Sequence, residues 1–515
     1  MSEVYSSKKI AINTIMLYIR TVVMMVITFF TTRVLLKYLG VEDYGIYNVL
    51  MGVITLFSFI SSSMTVATQR FISYALGRDD TQKVTQVFSA SIYIYLALIL
   101  VSIILFETVG IWYITNYINV PQGRMHAAQI VYQFAIIQFA FMTFRIPYGA
   151  VVIAYEKMDF FAYISILEAA LALGLIYLLI ICDGDKLVIY SVLITISKLF
   201  ILVVHIIFCK KKAVECKILK AKQVQRTTLK EILSFSGWNI FSSMAVTANN
   251  HGINLIINYF SGVVINTSVG VSTQLTMGLY NLVGNLQTAF SPQIIKLYAA
   301  KEYNTFKQLL FRNSKFCYLL YLIIAIPIFI SIHYVLVLWL GQECEYAVEF
   351  CRCMLAYLAI ESIAYPLNIA IQAEGNIKLY QILCGCLFLI LIPIAVWLYK
   401  LGLSPVWIFI ARIAQNLTLM TLRYVYLIKY NKIDLSGYFK EVLSRVIIVT
   451  LLAFPIPFIA YQFLQETFVN FILFSLATII WTAISIFVFG LSQTERTRLI
   501  QVSMEYLKKL TNHGE

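Results

Sequence analysis

Charge is what this 515-residue chain has least of: Asp, Glu, Lys and Arg together make up 12% of it, about half the share usual in a soluble globule. With 60% of residues hydrophobic, a water-soluble fold is excluded for most of the chain. Acid is scarcer than base, 25 residues against 39, which leaves a formal charge of +14. The nine cysteines include Cys351 and Cys353 in CRC and Cys384 and Cys386 in CGC, but the paired C-x-x-C of a zinc site is missing. They read as apolar filler, and no metal or other cofactor is expected. A nucleophile motif is missing too, and the five histidines are scattered, so no catalytic constellation argues for an enzyme. A membrane glycosyltransferase would need a sugar-nucleotide domain outside the bilayer, for which there is hardly room. The first apolar run is longer than a signal-peptide core and lacks a small-residue cleavage site, so it is expected to stay in the mature protein.

Long apolar runs are what the chain does have. A membrane-spanning helix takes about 20 mostly apolar residues, and about fourteen stretches qualify. They are 11–36, 46–68, 87–110, 126–153, 162–182, 187–209, 238–260, 263–290, 316–340, 350–373, 380–399, 406–428, 446–466 and 469–491. The expected fold class is therefore an all-α integral membrane protein. If the N-terminus is inside, the termini and even-numbered loops hold about 28 of the 39 basic residues and the odd-numbered loops about four. Both termini are expected in the cytoplasm. The most basic loop, CKKKAVECKILKAKQVQRTTLK from Cys209 to Lys230, falls between spans six and seven. Retention of basic loops on the inside accounts for it, and no nucleic-acid partner is expected.

Self-comparison points to a duplication. RVLLKYLG from Arg33 lies over NLIINYFS from Asn254 at a shift of 221, which sets Tyr38 over Tyr259. GRDD at Gly77 lies over AKEY at Ala300, and FSAS at Phe88 over FRNS at Phe311, at 223. PYGAVVIAYEKMDFF from Pro147 meets PLNIAIQAEGNIKLY from Pro366 at 219. Six spans separate equivalent positions, an even number, so the halves should be parallel repeats. The expected organisation is a six-helix bundle over 1–209, a basic cytoplasmic linker over 210–237, a second six-helix bundle over 238–428, and two further helices with a tail over 429–515.

Polar stripes run along several spans, since positions three and four apart share a helix face. Span seven carries Ser243, Thr247, Asn250, Asn254 and Asn258, with His251 beside them, and span eight carries Gln274, Gly278, Asn281, Asn285 and Thr288. Span two carries Thr55, Ser58, Ser62, Thr65 and Gln69, and at a shift of 223 the first four of these fall on Gly278, Asn281, Asn285 and Thr288. Single Ser, Thr or Asn residues are ordinary glue between membrane helices, but continuous stripes fit a hydrated cavity better. Arg20, Arg352 and Arg412 are the deepest basic residues, and a guanidinium in a membrane suits phosphate or pyrophosphate. Arg33, Lys37, Arg145 and Arg423 lie nearer span ends, where snorkelling explains them. Arg412 is expected to share a helix face with Gln415, Asn416 and Arg423. Glu168 and Glu361 are either ion-coupling carboxylates, for an H+ or Na+ gradient, or partners of a nearby Arg.

The first span followed by RVLLKYLGVEDYGIYNVL, the QRFISYALGRDD segment after span two, and two six-span halves resemble the Wzx-type O-antigen and polysaccharide flippases. These belong to the MOP superfamily with the MATE exporters and MurJ-type lipid II flippases. The resemblance covers nearly the whole chain, and its local signature is the hinge with Leu39, Gly40, Tyr44, Gly45 and Tyr47. It implies a MOP/MATE-like fold in a bacterial inner membrane. It also implies that undecaprenyl-pyrophosphate-linked oligosaccharide passes from the cytoplasmic to the periplasmic leaflet by alternating access. With duplicated halves, that access should be a rocking of one half against the other, the loop around Lys210 to Lys230 absorbing the motion. Implied partners are that lipid-linked oligosaccharide, membrane lipids and the polysaccharide polymerase machinery, with the chain acting as a monomer. A MurJ-like lipid II flippase shares the carrier and stays open as an alternative. So does a MATE-like exporter of cations, although it would favour carboxylates over arginines in the spans.

Overall fold

The computed structural model describes residues 2–501 apart from 56–57, 118–120, 180, 182, 214, 342–343, 432–434 and 498–499. The described chain is helical, in fourteen successive segments once two long helices are divided at their breaks. The first six are α1 (2–39), α2 (41–55 and Ser58–Leu76), α3 (Thr81–Asn116), α4 (Met125–Ala154), α5 (Met158–Leu178) and α6 (Lys186–Lys212). The next six are α7 (226–261), α8 (263–299), α9 (Tyr303–Ile330, then Ile332–Leu340), α10 (Ala347–Glu374), α11 (Lys378–Lys400) and α12 (Val406–Asn431). The last two are α13 (Ser436–Tyr461) and α14 (Phe468–Gly490). Among the described residues nine of these are long and apolar enough to cross a membrane. The others are α1, α2, α7, α8 and α12; α2, α7 and α8 bear the polar stripes, and α1 and α12 carry Arg20, Arg412 and Arg423.

The duplication is written in the backbone. Gly40 (φ 81, ψ 167) divides α1 from α2, and Gly262 (φ 82, ψ 179) divides α7 from α8. This region of backbone space is open essentially to glycine alone. Asp79 and Lys301 have left-handed φ in the turns after α2 and α8, as do Glu156 and Gly375 after α4 and α10, and Gly184 and Gly402 before α6 and α12. The turns after α2 and α8 share their hydrogen bonds as well: Asp80 N–H to Ala75 and Asp79 N–H to Leu76 recur as Glu302 N–H to Leu297 and Lys301 N–H to Tyr298. The shifts are 222, 222, 219 and 218. They correct the register expected at two places. Tyr38 corresponds to Phe260 rather than Tyr259, and Asp79 to Lys301 rather than Glu302. Since 222 holds at both ends of α2 and α8, their polar residues are offset by one position, so the stripes are not residue-for-residue copies.

By packing the chain forms two units that cut across the sequence halves: residues 1–247, 288–303 and 372–386, and residues 248–287, 304–371 and 387–515. The first unit is built on two apolar clusters, one around Phe88, Tyr95 and Tyr148 and one around Leu50, Phe106, Tyr132 and Tyr190. Outside the spans, Arg124 ties Asp43 at the start of α2 to Asp185 before α6, with Nε 2.8 Å from Asp43 and Nη1 2.6 Å from Asp185. The Asp43 hydrogen bond, aided by Asp185, holds this guanidinium above its ordinary value. The second unit packs Ile253 and Ile257 of α7 against Phe350, Leu391 and Phe409, the two phenyl rings stacked at 4.2 Å.

The segment after α6, expected as a basic linker that absorbs motion, is tied down along its length. Its backbone is stitched along α3 by hydrogen bonds from Thr85 to Glu215 O (2.7 Å), Ser89 to Lys217 O (2.9 Å), Tyr93 to Leu219 O (2.8 Å) and Gln86 to Gln223 O (3.1 Å). Backbone polar groups bound in this way resist fraying, so this stretch is a poor place for a hinge.

Candidate functional site: polar stripes and ion pairs within the helices

The buried positions of the middle of α7 are Ala245, Asn249, Ile253 and Ile257, spaced by four. The stripe lies one residue on: Asn250, His251 and Asn258 are exposed and Asn254 is half-buried. On α8, Gln274 and Asn281 are exposed while Asn285 is buried. Ser62 on α2 is exposed; the Ser58 side chain lies outside the described ones. The same helical period that buries one row therefore presents the adjacent polar row.

Within the second unit, Arg412 of α12 donates to Asn250 Oδ1 of α7 and lies 5.9 Å from the centroid of Tyr357. Its expected companions on α12 turn elsewhere: Gln415 donates to Leu387 O, Asn416 to Tyr357 O at 3.0 Å, and Arg423 to Glu361 at 3.1 and 3.2 Å. Glu361 is thus the partner of an arginine on another helix. Arg423 does not snorkel, because its side chain is 7% exposed and tied to that carboxylate. Arg352 is five residues into α10, exposed, and rests over Phe329 at 5.8 Å, apart from the Arg412 group.

Within the first unit, Glu168 of α5 takes two cations, Arg145 of α4 at 2.7 Å and Lys198 of α6 at 2.5 Å. Arg145 had looked like a snorkelling residue, and Lys198 had not stood out at all. Arg20 of α1 packs its guanidinium 4.9 Å from the Phe161 centroid, on the face of α5 that carries Glu168 two turns later.

The sequence also hid a pair of clamps, both inside the first unit. Arg70, 6% exposed, donates through Nε and Nη2 to the carbonyls of Gln372 (3.1 Å) and Ala373 (2.9 Å) in the last turn of α10. Its guanidinium lies 4.6 to 5.6 Å from the ring centroids of Tyr74, Phe71 and Phe235. A helix C-terminus is where unsatisfied carbonyls and partial negative charge collect, so a cation fits there. Reciprocally, Glu156 in the turn after α4 receives Lys296 at 2.6 Å and Gln293 at 3.1 Å, both from α8. Glu156 and Gly375 are repeat equivalents, and Arg70 corresponds to position 292, beside Gln293. Each turn is therefore held by the other half's α2 or α8. A Cβ on Gly375 would lie 2.4 Å from Arg70 Nη2, and one on Gly77 2.5 Å from Lys296 O, so both approaches need glycine. A hint lay in QRFISYAL, where a lone arginine sits among aromatics, but its partners are some 300 residues away.

Comparison with known proteins follows the same lines. Residues 18–178 match the family model described as MatE. A curated relative, the uncharacterized membrane protein EpsK of Bacillus subtilis (strain 168), is 22% identical over 272 residues; the match spans 52% of this chain and about half, 53%, of that relative. Among solved structures, a MATE transporter in the straight conformation superposes with a TM-score of 0.69 at 14% identity, covering 82% of this chain and 95% of that one. An outward-facing multidrug resistance MATE family transporter of the MOP superfamily gives 0.66 at 12% identity, covering 82% and 95%. A MOP superfamily transporter from Pyrococcus furiosus, described as having a binding pocket of reverse polarity that suggests a different function, gives 0.64 at 14%, with coverage of 82% and 95%. The chain has the MOP/MATE-like fold. Residues 18–178 are thus similar to the MatE family, and the chain shares its fold with membrane transporters of the MOP superfamily.

Proposed function

We propose that this chain is a lipid-linked oligosaccharide flippase. It moves an undecaprenyl-pyrophosphate-linked repeat unit of an O-antigen, capsule or exopolysaccharide from the cytoplasmic to the periplasmic leaflet of a bacterial inner membrane. The observation that carries this reading is Arg412: among the described residues its partners are an amide, Asn250, and a ring, Tyr357, not a carboxylate. Such a guanidinium keeps its charge for an incoming phosphoryl group, while the neighbouring amides and ring suit sugar hydroxyls. Both termini face the cytoplasm on this reading, and the working unit is a monomer in contact with lipid and with a polysaccharide polymerase. Alternating access opens the Arg70 and Glu156 clamps and closes them again. Ion coupling through Glu168 or Glu361 requires H+ or Na+ to displace the cations already bound there.

A MATE-like exporter of cationic small molecules is the second reading, favoured by the match of residues 18–178 to the MatE model. Proteoliposomes separate the two. With a fluorescent lipid-linked oligosaccharide, protection from an added glycosidase should be lost only when the protein is present; with ethidium, no uptake is expected. Arg412→Ala should abolish glycan movement at normal protein abundance, and Arg412→Lys should restore part, since it keeps charge without the fork. Ethidium transport without glycan movement would install the exporter reading instead.

A further inference from the structure

We propose that Arg145, Lys198 and Glu168 form a binding site for the pyrophosphate of the lipid-linked substrate, with Glu168 as the counter-ion that the substrate displaces. The inference rests on the flippase reading and adds a site in the first unit. Three observations carry it. First, the charges do not balance: one carboxylate holds two cations, and among the described residues no second carboxylate pairs with either. A positive charge in excess inside a membrane bundle is costly unless water or an anion meets it. Second, the depth matches a transport site. At 1.5 Å per residue, Arg145, Glu168 and Lys198 lie roughly 13 to 21 Å from the ends of α4, α5 and α6 nearest the 210–230 segment, close to the middle of a ~30 Å hydrocarbon core. Substrate sites of transporters are found at that level. Third, the group is not sealed by helix packing: the side chains of Arg145, Lys198 and Glu168 retain 24%, 22% and 20% exposure. Arg20, over Phe161 on the same face of α5, places another guanidinium within two turns.

One cation would suffice to brace Glu168 between the helices; the second leaves the group with a net positive charge, which suits an anion. When a pyrophosphate enters, its oxygens take over the Arg145 and Lys198 donors and Glu168 is released to water; when it leaves, the carboxylate returns and keeps the cations from being stranded. No bond to phosphorus forms or breaks.

The test is equilibrium binding of radiolabelled farnesyl pyrophosphate to the full-length protein in nanodiscs, with farnesol, inorganic pyrophosphate and phosphatidylglycerol as competitors. Inorganic pyrophosphate should compete and farnesol should not. Lys198→Gln and Arg145→Gln should each weaken binding by about tenfold or more, the loss of one charge-assisted hydrogen bond, and Lys198→Arg should retain it. Glu168→Gln should tighten binding, because the competing carboxylate is gone. Unchanged binding by Lys198→Gln at wild-type yield and monodispersity would overturn the proposal. So would weakening by Glu168→Gln in step with Lys198→Gln, which is the behaviour of a brace. Competition by phosphatidylglycerol as strong as by pyrophosphate would overturn it in favour of a membrane-lipid site. Should Lys198→Gln misfold, the double variant Glu168→Gln/Lys198→Gln, which removes one charge of each sign, takes its place and must bind more weakly than Glu168→Gln alone. Pyrophosphate binding with no glycan movement would sink the flippase reading and leave this site standing. Glycan movement at the wild-type rate in Lys198→Gln would do the reverse.

Discussion

Arg70→Ala should release the end of α10 from α2. The arginine makes two hydrogen bonds to main-chain carbonyls, 3.1 and 2.9 Å long, from a site 6% exposed. Hydrogen bonds involving a charged partner contribute about 1.5 to 3 kcal/mol each, so the clamped arrangement should lose about 3 to 6 kcal/mol before relaxation. Even the lower figure corresponds to a change of roughly 150-fold in the balance between clamped and released forms. The reporter is Ser63→Cys. Ser63 is buried on α2 and bonds Ser243 of α7 at 2.9 Å, within the same unit. In membrane vesicles, maleimide labelling of this cysteine should accelerate by at least an order of magnitude in the Arg70→Ala background. Arg70→Lys should fall between, since an ammonium cannot reproduce the fork. Gly375→Ala should mimic Arg70→Ala, because its Cβ would occupy the space of Arg70 Nη2 and its φ of +93 strains any side chain. If Arg70→Ala leaves labelling at the wild-type rate while Gly375→Ala raises it, the guanidinium does not hold the clamp and the reasoning fails.

Other expectations are simpler. Single cysteines at Asn250, Asn258 and Asn281 should react quickly with a small aqueous thiol reagent and those at Asn249, Ile253 and Asn285 slowly, following exposure along α7 and α8; uniform rates would remove the support for a hydrated stripe. Gly40→Ala and Gly262→Ala should each cost about 1 to 3 kcal/mol through backbone strain alone, since nothing lies within 4 Å of either Cβ; unaltered thermal unfolding in both would refute the hinge assignment. Glu495, beyond α14, is pushed upward by burial, but the Lys315 ammonium at 2.5 Å and the Ser492 N–H at 2.8 Å outweigh this and hold it below the usual carboxylate range. A carboxyl depressed in the folded state stabilises above its unfolded pKa, about 4.3, and that contribution fades as pH falls through the folded value. The unfolding temperature should therefore drop below about pH 4, and the drop should be shallower in Glu495→Gln.

The helices were legible in the sequence because a bilayer imposes a length and a polarity that apolar runs report directly. The hinge region around Gly40 was marked in the sequence only by the family resemblance, and its positive φ became visible in the structure. The repeat was legible only to within one residue: apolar segments align almost equally well at neighbouring shifts, and it took the paired left-handed positions, Gly40 with Gly262 and Asp79 with Lys301, to set the register. The charges were the least legible part. Arg145 and Arg423 looked like snorkelling residues, Lys198 and Arg70 did not stand out, and Glu168 and Glu361 could have been coupling sites or partners. Here the charges found their partners on other helices, across separations of 23 residues for Arg145 and Glu168 and 302 for Arg70 and Gln372. No local pattern encodes such a distance, so only the packing of the helices decided which charges are paired and which carry one positive charge too many.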